Sequence, residues 1–176
     1  MTRSLMNWRS FWILWVGGLV IIITLVSQND QLVTQLVPRG MVDHQAASTA
    51  DRVDEIHRSW ADHGRMRFAR IAMIFDLLFI VIYSIGGMIG GILIRKQAHS
   101  AILTGLGGVV LVAYAAFGIL DFIETACQAI QLFATGGNDA LARTASTVRL
   151  PKLAAFAVGF PLILISLVWL WFEKRR

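Results

Sequence analysis

The stretch "IAMIFDLLFIVIYSIGGMIGGILI", residues 71–94, decides the fold class, because Asp76 is its only charged residue. A helix crosses about 30 Å of hydrocarbon with about 17–25 apolar residues, and this stretch is long enough. An ionised side chain facing lipid costs about 2.5–3.5 kcal/mol on insertion scales. We therefore expect a membrane-spanning helix whose Asp76 turns towards protein.

The composition also indicates a membrane protein. The chain is 56% hydrophobic and 15% charged, whereas soluble domains have about 45–50% apolar and about 25% charged residues. The net charge of +5 does not predict nucleic-acid binding, because the basic residues cluster at the ends of apolar runs, where they set topology and contact anionic lipid heads. The single cysteine, Cys127, excludes a disulfide within the chain, a two-thiol redox centre and a CxxC metal site.

Four stretches have the length and composition of membrane spans. They are residues 11–27, 71–94, 101–126 and 153–172. The third span is able to continue as helix to Phe133, and the first lacks a neighbouring small-x-small cleavage site, so we expect it to be retained. The predicted fold is an all-α integral membrane four-helix bundle, a single domain over residues 1–176, with a short amphipathic surface helix in the extramembrane loop 28–70.

Positive charge in short loops predicts the orientation. With both termini in the cytoplasm, the short inner segments carry nearly all of their charge as basic residues: Arg3, Arg9, Arg95, Lys96, Lys174, Arg175 and Arg176. An aromatic belt on that side would then comprise Trp8, Trp12, Trp15, Trp169 and Trp171. The location predicted is a bacterial inner (plasma) membrane.

The loops contain two helix signals. In "STADRVDEIHRSWADHG", residues 48–64, Ser48 or Thr49 is a candidate N-cap, and Gly64 is placed to end the helix. Its apolar stripe (Val53, Ile56 and Trp60) predicts a position flat on the membrane surface or against the mouth of the bundle. Residues 139–149 predict another short helix, with Pro151 in the first turn of the fourth span and a kink at Pro161.

A polar stripe follows the third span. Asp121, Glu124, Gln128 and Gln131 recur on one helical face, and Tyr114 lies one heptad before Asp121. Asp76 shares a face of the second span with Phe79 and Tyr83. Because consecutive spans run in opposite directions, Asp76, Asp121 and Glu124 should reach a similar depth, and the two polar faces should meet.

Three ionised carboxylates would repel one another, so one must hold a proton or pair with a cation. Arg67 and Arg70, just before the second span, are the predicted charge partners. The sequence leaves three interpretations open: a structural cluster, a site for a ligand or proton, and a metal site with His57 or His63. Because the Glu-x-x-His pairs of di-iron bundles are absent, we predict no metal site, and each histidine is expected to be an ordinary polar residue at the water interface.

Small residues in "IGGMIGG", residues 85–91, allow close approach of helices. Gly86, Gly87, Gly90 and Gly91 form two interleaved small-xxx-small pairs. We interpret them as packing within the chain, with a dimer face as the alternative.

The motifs "FDLLFIVIYS" and "LDFIET" resemble those of a loosely defined group of small bacterial four-span membrane proteins. These carry Asp-x-x-Phe followed by Tyr in one helix, and Asp-x-x-Glu, often with Asn next, in the following helix. The matching positions are Asp76, Phe79, Tyr83, Asp121 and Glu124, while Thr125 stands where Asn is commoner. The resemblance, confined to about residues 71–126, implies the same two helices as the centre of interest and names no reaction.

The sequence thus predicts a membrane protein that binds a small amphipathic or cationic ligand, or a lipid head group. The predicted binding residues are Asp76, Phe79, Tyr83, Asp121, Glu124 and Gln128. The alternatives are an intramembrane acid/base enzyme (an isomerase or hydrolase) acting on a lipid-like substrate, a structural or accessory subunit of a membrane complex, and, more weakly, a proton- or cation-coupled carrier. The expected partners are membrane lipids and either a second copy or another membrane protein. The sequence identifies no cofactor.

Overall fold

A computed structural model describes residues 6–175, and in this range all regular structure is helical. The helices are α1 (Trp8–Ser27), α2 (Met41–Ala46), α3 (Ala50–Asp62), α4 (Met66–Gln97), α5 (Ala101–Ile130) and α6 (Asp139–Glu173). A 3₁₀ helix covers Asn29–Leu32, and a π-helical turn, Gln131–Thr135, continues α5. The all-α four-helix membrane fold is confirmed. The predicted topology signals at Arg3 and Arg176 lie outside the described residues.

Within residues 6–175, four helices are long and apolar enough to cross a membrane: α1, α4, α5 with its π turn, and α6. Each contains one predicted span. The helices are longer than those spans, because polar residues at their ends continue the helix beyond the apolar core. Thus α4 begins at Met66 rather than at residue 71, and the α5 helix with its π turn extends to Thr135.

The prediction of a separate short helix over residues 139–149, before the fourth span, is wrong. A single helix, α6, runs through both Pro151 and Pro161. Proline inside a helix costs about 3 kcal/mol, because a backbone hydrogen bond is lost. Two features stabilise the part of α6 that precedes Pro151: the Asn138 side chain accepts from the Leu141 amide at 3.1 Å, and Ala142 is buried in a hydrophobic core. The kink at Pro161 stays a prediction.

The chain divides into two compact units, and every long helix contributes a segment to each. The aromatic unit comprises the described residues up to Leu19, Ile80–Ile119 and those from Lys152 onward. The loop unit comprises Val20–Phe79 and Leu120–Pro151. Since neither unit is one continuous segment, the division does not separate two domains in sequence, and the single membrane domain stays a prediction.

Aromatic side chains form the core of the aromatic unit. The Trp15 indole N–H donates to the Tyr114 hydroxyl at 2.8 Å, and the hydroxyls of Tyr114 and Tyr83 are 3.1 Å apart. Trp15 also stacks on Tyr83 and Phe160. The prediction that Trp15 joins an interfacial belt is therefore wrong, because its N–H is satisfied inside the protein. Trp12, Trp169 and Trp171 are exposed, as a belt requires.

The glycines of α4 make room for neighbouring parts of the same chain. A Cβ added to Gly87 would lie 1.9 Å from the Tyr114 ring, and one added to Gly91 would lie 2.8 Å from the Gly107 carbonyl oxygen and the Leu111 nitrogen. The interpretation of these glycines as packing within the chain is confirmed.

The loop unit has its own hydrophobic core, and most residues of this core come from the extramembrane loop 28–70. Its buried residues are Leu32, Val37, Ala47, Val53, Ile56, Trp60, Ala69, Met73, Leu132 and Ala142. The α3 stripe therefore packs against residues of α4, α6 and the π turn of α5, and of the two predicted positions the bundle mouth is confirmed. The predicted helix ends are also correct: Thr49 accepts from the Arg52 amide at 3.3 Å, and Gly64 has a φ of 69°.

The packing predicts opposite effects for the same substitution at two glycines. Gly91→Ala should destabilise the protein by about 1–3 kcal/mol, because backbone atoms block the new methyl group. Gly17→Ala should be neutral or stabilise by up to about 1 kcal/mol, since alanine favours helix and nothing lies within 4 Å of the added Cβ. Thermal unfolding in detergent measures the difference. Equal midpoints for the two variants would contradict the packing described.

Candidate functional site

Asp76 is held against α5 by a threonine. Its carboxylate oxygen Oδ2 accepts a hydrogen bond from Thr125 Oγ1 at 3.2 Å. Both residues belong to the loop unit, and Thr125 follows Glu124 in the chain, so Asp76 lies beside the turn of α5 that carries the predicted acids. Thr125 was not among the site residues predicted from the sequence. The signal available in the sequence was the position of Thr125, directly after Glu124 and one turn after Asp121.

The polar stripe of α5 faces the protein interior. Asp121, Glu124, Gln128 and Gln131 are all buried, with exposed fractions of 4%, 0%, 2% and 2%. Gln128 Nε2 donates to Glu124 Oε1 at 3.3 Å. The Gln131 side chain donates to the Cys127 carbonyl and accepts from the Asn138 amide, which connects the stripe to the start of α6. The helical periodicity thus identified a stripe that is buried inside the protein.

A cavity of about 260 Å³ opens beside Asp76 within the loop unit. Most of its wall is apolar, and its polar members are Asn29, Asp30, Gln45 and Asp76. The apolar members are Ile22, Leu25, Val26, Leu32, Met41, Val42, Phe68 and Ala72. The cavity therefore places a half-buried carboxylate next to hydrocarbon side chains.

Asn29 fixes one side of this cavity. Its side-chain amide donates to the Arg39 carbonyl at 3.1 Å, and its side-chain oxygen accepts from the Met41 amide at 2.9 Å. Gly40 between them has a φ of 60°, and an added Cβ would lie 2.6 Å from the Asn29 oxygen. Only glycine fits this close approach. The sequence offered no spacing that pairs Asn29 with residues 39–41, so this wall was not foreseen.

The remaining predicted site residues, Phe79, Tyr83, Arg67 and Arg70, do not form one group with Asp76 on the cavity wall. Phe79 is buried in the loop unit, whereas Tyr83 belongs to the aromatic unit, where it contacts Tyr114. Arg67 and Arg70 are exposed, and the Arg70 guanidinium carbon lies 5.8 Å from the centre of the Phe133 ring. The binding role of Tyr83 and the charge-partner roles of both arginines stay predictions.

Two histidines form a buried pair in the loop unit. His44 Nε2 and His57 Nε2 are 3.0 Å apart, and both rings pack near Trp60. The expectation that His57 is an ordinary residue at the water interface is therefore wrong, because a histidine on α2 and the Trp60 ring cover it. His63 is exposed, and its Nδ1 lies 2.7 Å from the Ser59 carbonyl oxygen.

The surroundings of this pair favour its neutral form. Burial, with the nearby His57, lowers the pKa of His44 to about 3. Burial also lowers the pKa of His57; the Asp54 charge opposes this shift and the Arg70 charge adds to it. In a neutral pair one Nε2 carries a proton and donates a hydrogen bond, which the other Nε2 accepts. The described residues contain no group of three or more His, Cys, Asp or Glu side chains placed to hold a metal ion.

Comparisons with known proteins assign no activity to this geometry. No protein-family model, curated protein or solved structure matches the chain. The resemblance to four-span bacterial proteins stays a prediction, and the function must be argued from the contacts of the chain itself.

The histidine pair predicts a pH-dependent stability. Because the pKa of folded His44 lies below its unfolded value of about 6.5, the unfolded chain takes up the proton first. Stability should be highest above about pH 6.5 and fall as the pH drops towards 3, by up to about 1.4 kcal/mol per pH unit for this group. Unfolding in detergent between pH 7 and pH 5 measures the slope.

The matched variants are His44→Gln and His63→Gln. His44→Gln should flatten the pH dependence, whatever it does to the stability at pH 7, while His63→Gln should leave the dependence unchanged. A wild-type slope in His44→Gln would show that the pair is not the titrating group.

Proposed function

We propose that this protein is an integral membrane protein that binds a small amphipathic cation in the cavity beside Asp76. The ligand class is a hydrophobic amine, either free or as the amine of a lipid head group. The observation that carries the proposal is the wall of the cavity, in which a half-buried carboxylate adjoins a mainly apolar surface.

The two parts of the wall match the two parts of such a ligand. Apolar side chains remove water from its hydrocarbon portion, and Asp76 supplies a charge-assisted hydrogen bond to its ammonium group. Thr125 fixes the Asp76 carboxylate from the α5 side, and Asn29 fixes the loop at the cavity wall. A site whose groups are already positioned loses less conformational entropy when it binds.

Charge selects a cation over an anion. Asp30 also lies on the cavity wall, and the buried acids Asp121 and Glu124 share the α5 face next to Thr125. Carboxylates concentrated at one site favour cations and disfavour anions. The position of Asp76 favours ligand binding over the purely structural alternative. Its side chain borders the open volume of the cavity as well as another helix.

The volume limits the size of the ligand. At about 260 Å³, the cavity is slightly smaller than the roughly 300–1,000 Å³ typical of sites for drug-sized ligands. It suits one amine with a short hydrocarbon portion, or the amine end of a larger lipid.

Basic residues in the aromatic unit support the proposed orientation, with both termini in the cytoplasm of a bacterium and the protein in its inner membrane. Lys174 Nζ lies 5.9 Å from the Trp8 ring centre and donates to the Gln97 side chain. The His99 amide donates to Glu173 at 2.9 Å. The start of α1, the α4–α5 connection and the end of α6 therefore meet in this unit. The basic residues at this end of the unit are Arg9, Arg95, Lys96, Lys174 and Arg175, as expected for a cytoplasmic face.

The proposal predicts charge-selective binding by the purified protein in detergent, measured by calorimetry with octylamine, octanol and octanoate. The wild type should bind octylamine more tightly than the other two. Asp76→Asn should weaken octylamine binding by about ten-fold or more, because a charge-assisted hydrogen bond contributes about 1.5–3 kcal/mol, and should leave octanol binding unchanged.

Two further variants complete the test. Asp62→Asn removes an exposed carboxylate of the same unit and should bind octylamine normally. Val42→Trp, which fills the cavity from an exposed position, should weaken binding of both octylamine and octanol. Unchanged octylamine binding by folded Asp76→Asn and Val42→Trp would refute the proposal and favour a structural role for the acids.

A further inference from the structure

The aromatic unit carries an apolar groove on α5 and α6 that the proposed function does not use. The groove has a volume of about 940 Å³. Small side chains line much of it, among them Gly105, Gly108, Ala116, Ala154 and Ala155. An added Cβ at Gly105 would meet nothing within 4 Å, so the groove is open to whatever surrounds this unit.

Basic residues lie at one end of the groove. Arg95 and Thr104 line both the groove and an adjoining depression of about 320 Å³, which also includes Lys96. The stem of Arg95 lies along α5: a Cβ added to Gly107 would be 2.8 Å from Arg95 Cγ, and one added to Gly108 would be 3.9 Å from its Nε. The missing side chains of these glycines therefore allow Arg95 to lie over the mouth of the groove.

We propose that this surface is a binding site for one anionic phospholipid. The phosphate-bearing head occupies the depression at Arg95, Lys96 and Thr104, and an acyl chain lies in the groove of small residues. Arginine and lysine recognise a phosphate through charge-assisted hydrogen bonds, and basic pockets between membrane helices bind anionic lipid heads.

The length of the groove matches one acyl chain. From Thr104 to Ala116, both on its wall, α5 rises about 18 Å at about 1.5 Å per residue. Each leaflet contributes about 15 Å to a hydrocarbon core of about 30 Å. The basic residues stand at the end of α4, where a head group of the adjacent leaflet would lie.

Charge favours a lipid over a second copy of this chain. A parallel two-fold dimer through the groove would use the same patch on both subunits. It would bring Arg95 and Lys96 of one copy near the same residues of the other, and like charges repel. An anionic head group neutralises both residues instead.

The test measures lipid retention by purified protein with native mass spectrometry, using phosphatidylglycerol and phosphatidylcholine with identical acyl chains as probes. The wild type should retain phosphatidylglycerol preferentially. Each basic residue that contacts the head group contributes roughly a five-fold preference for anionic lipid. The Arg95→Gln/Lys96→Gln variant should therefore lose up to about 30-fold of the preference.

A second pair of variants tests the acyl chain. Gly105→Leu fills the groove from an open position and should lower retention of both lipids, whereas Gly17→Leu, equally open on α1, should not.

Arg175→Gln serves as the charge control, since Arg175 lies over the Trp171 ring, and should keep the preference. The proposal is overturned if the wild type retains both lipids equally, if Gly105→Leu retains as much lipid as Gly17→Leu, or if crosslinks through the groove join two copies.

Discussion

The candidate site depends on one constraint, the need to keep the Asp76 carboxylate away from lipid. The hydrogen bond from Thr125 to Asp76 meets this need. An acidic side chain on an apolar helix is tolerated only where protein or water replaces lipid around it. In the loop unit, Asp76 is half-buried against α5, and the acids of α5 are buried more deeply. On α4 and α5 in this unit, the acidic residues therefore face protein, and exposed positions such as Ile74, Phe75 and Phe122 are apolar.

The loop 28–70 provides most of the wall of the cavity beside Asp76. It packs Val53, Ile56 and Trp60 into a hydrophobic core together with residues of α4 and the π turn. Polar contacts then fix its course: the Trp60 N–H donates to the Leu32 carbonyl, and Arg65 donates to the Gln31 and Val33 carbonyls. A loop held in this way can maintain a cavity whose walls include both its own residues and Asp76.

Local periodicity predicted the parts of the structure that depend on neighbouring residues. Apolar length identified four membrane helices, and the repeat of Asp121, Glu124, Gln128 and Gln131 identified the buried face of α5. The Thr49 cap and the α3 stripe were likewise predictable, because each depends on residues a few positions apart.

Contacts between distant residues were not predictable in this way. The pairing of His44 with His57, of Trp15 with Tyr114, and of Asn29 with the Arg39–Met41 segment follows from tertiary packing, and no spacing in the sequence encodes it. The continuity of α6 through Pro151 was not predictable either, because local propensity favours a break at an internal proline. The cavity was therefore not predictable from the sequence, since most of its wall comes from residues that no motif singled out.

The most direct measurement is an experimental density map of the protein purified with its native lipids, at a resolution that shows individual side chains. The account predicts non-protein density in the cavity, with its polar end at hydrogen-bond distance, about 2.7–3.2 Å, from the Asp76 carboxylate. A cavity closed by the protein's own side chains, or an Asp76 side chain turned towards lipid, would contradict it.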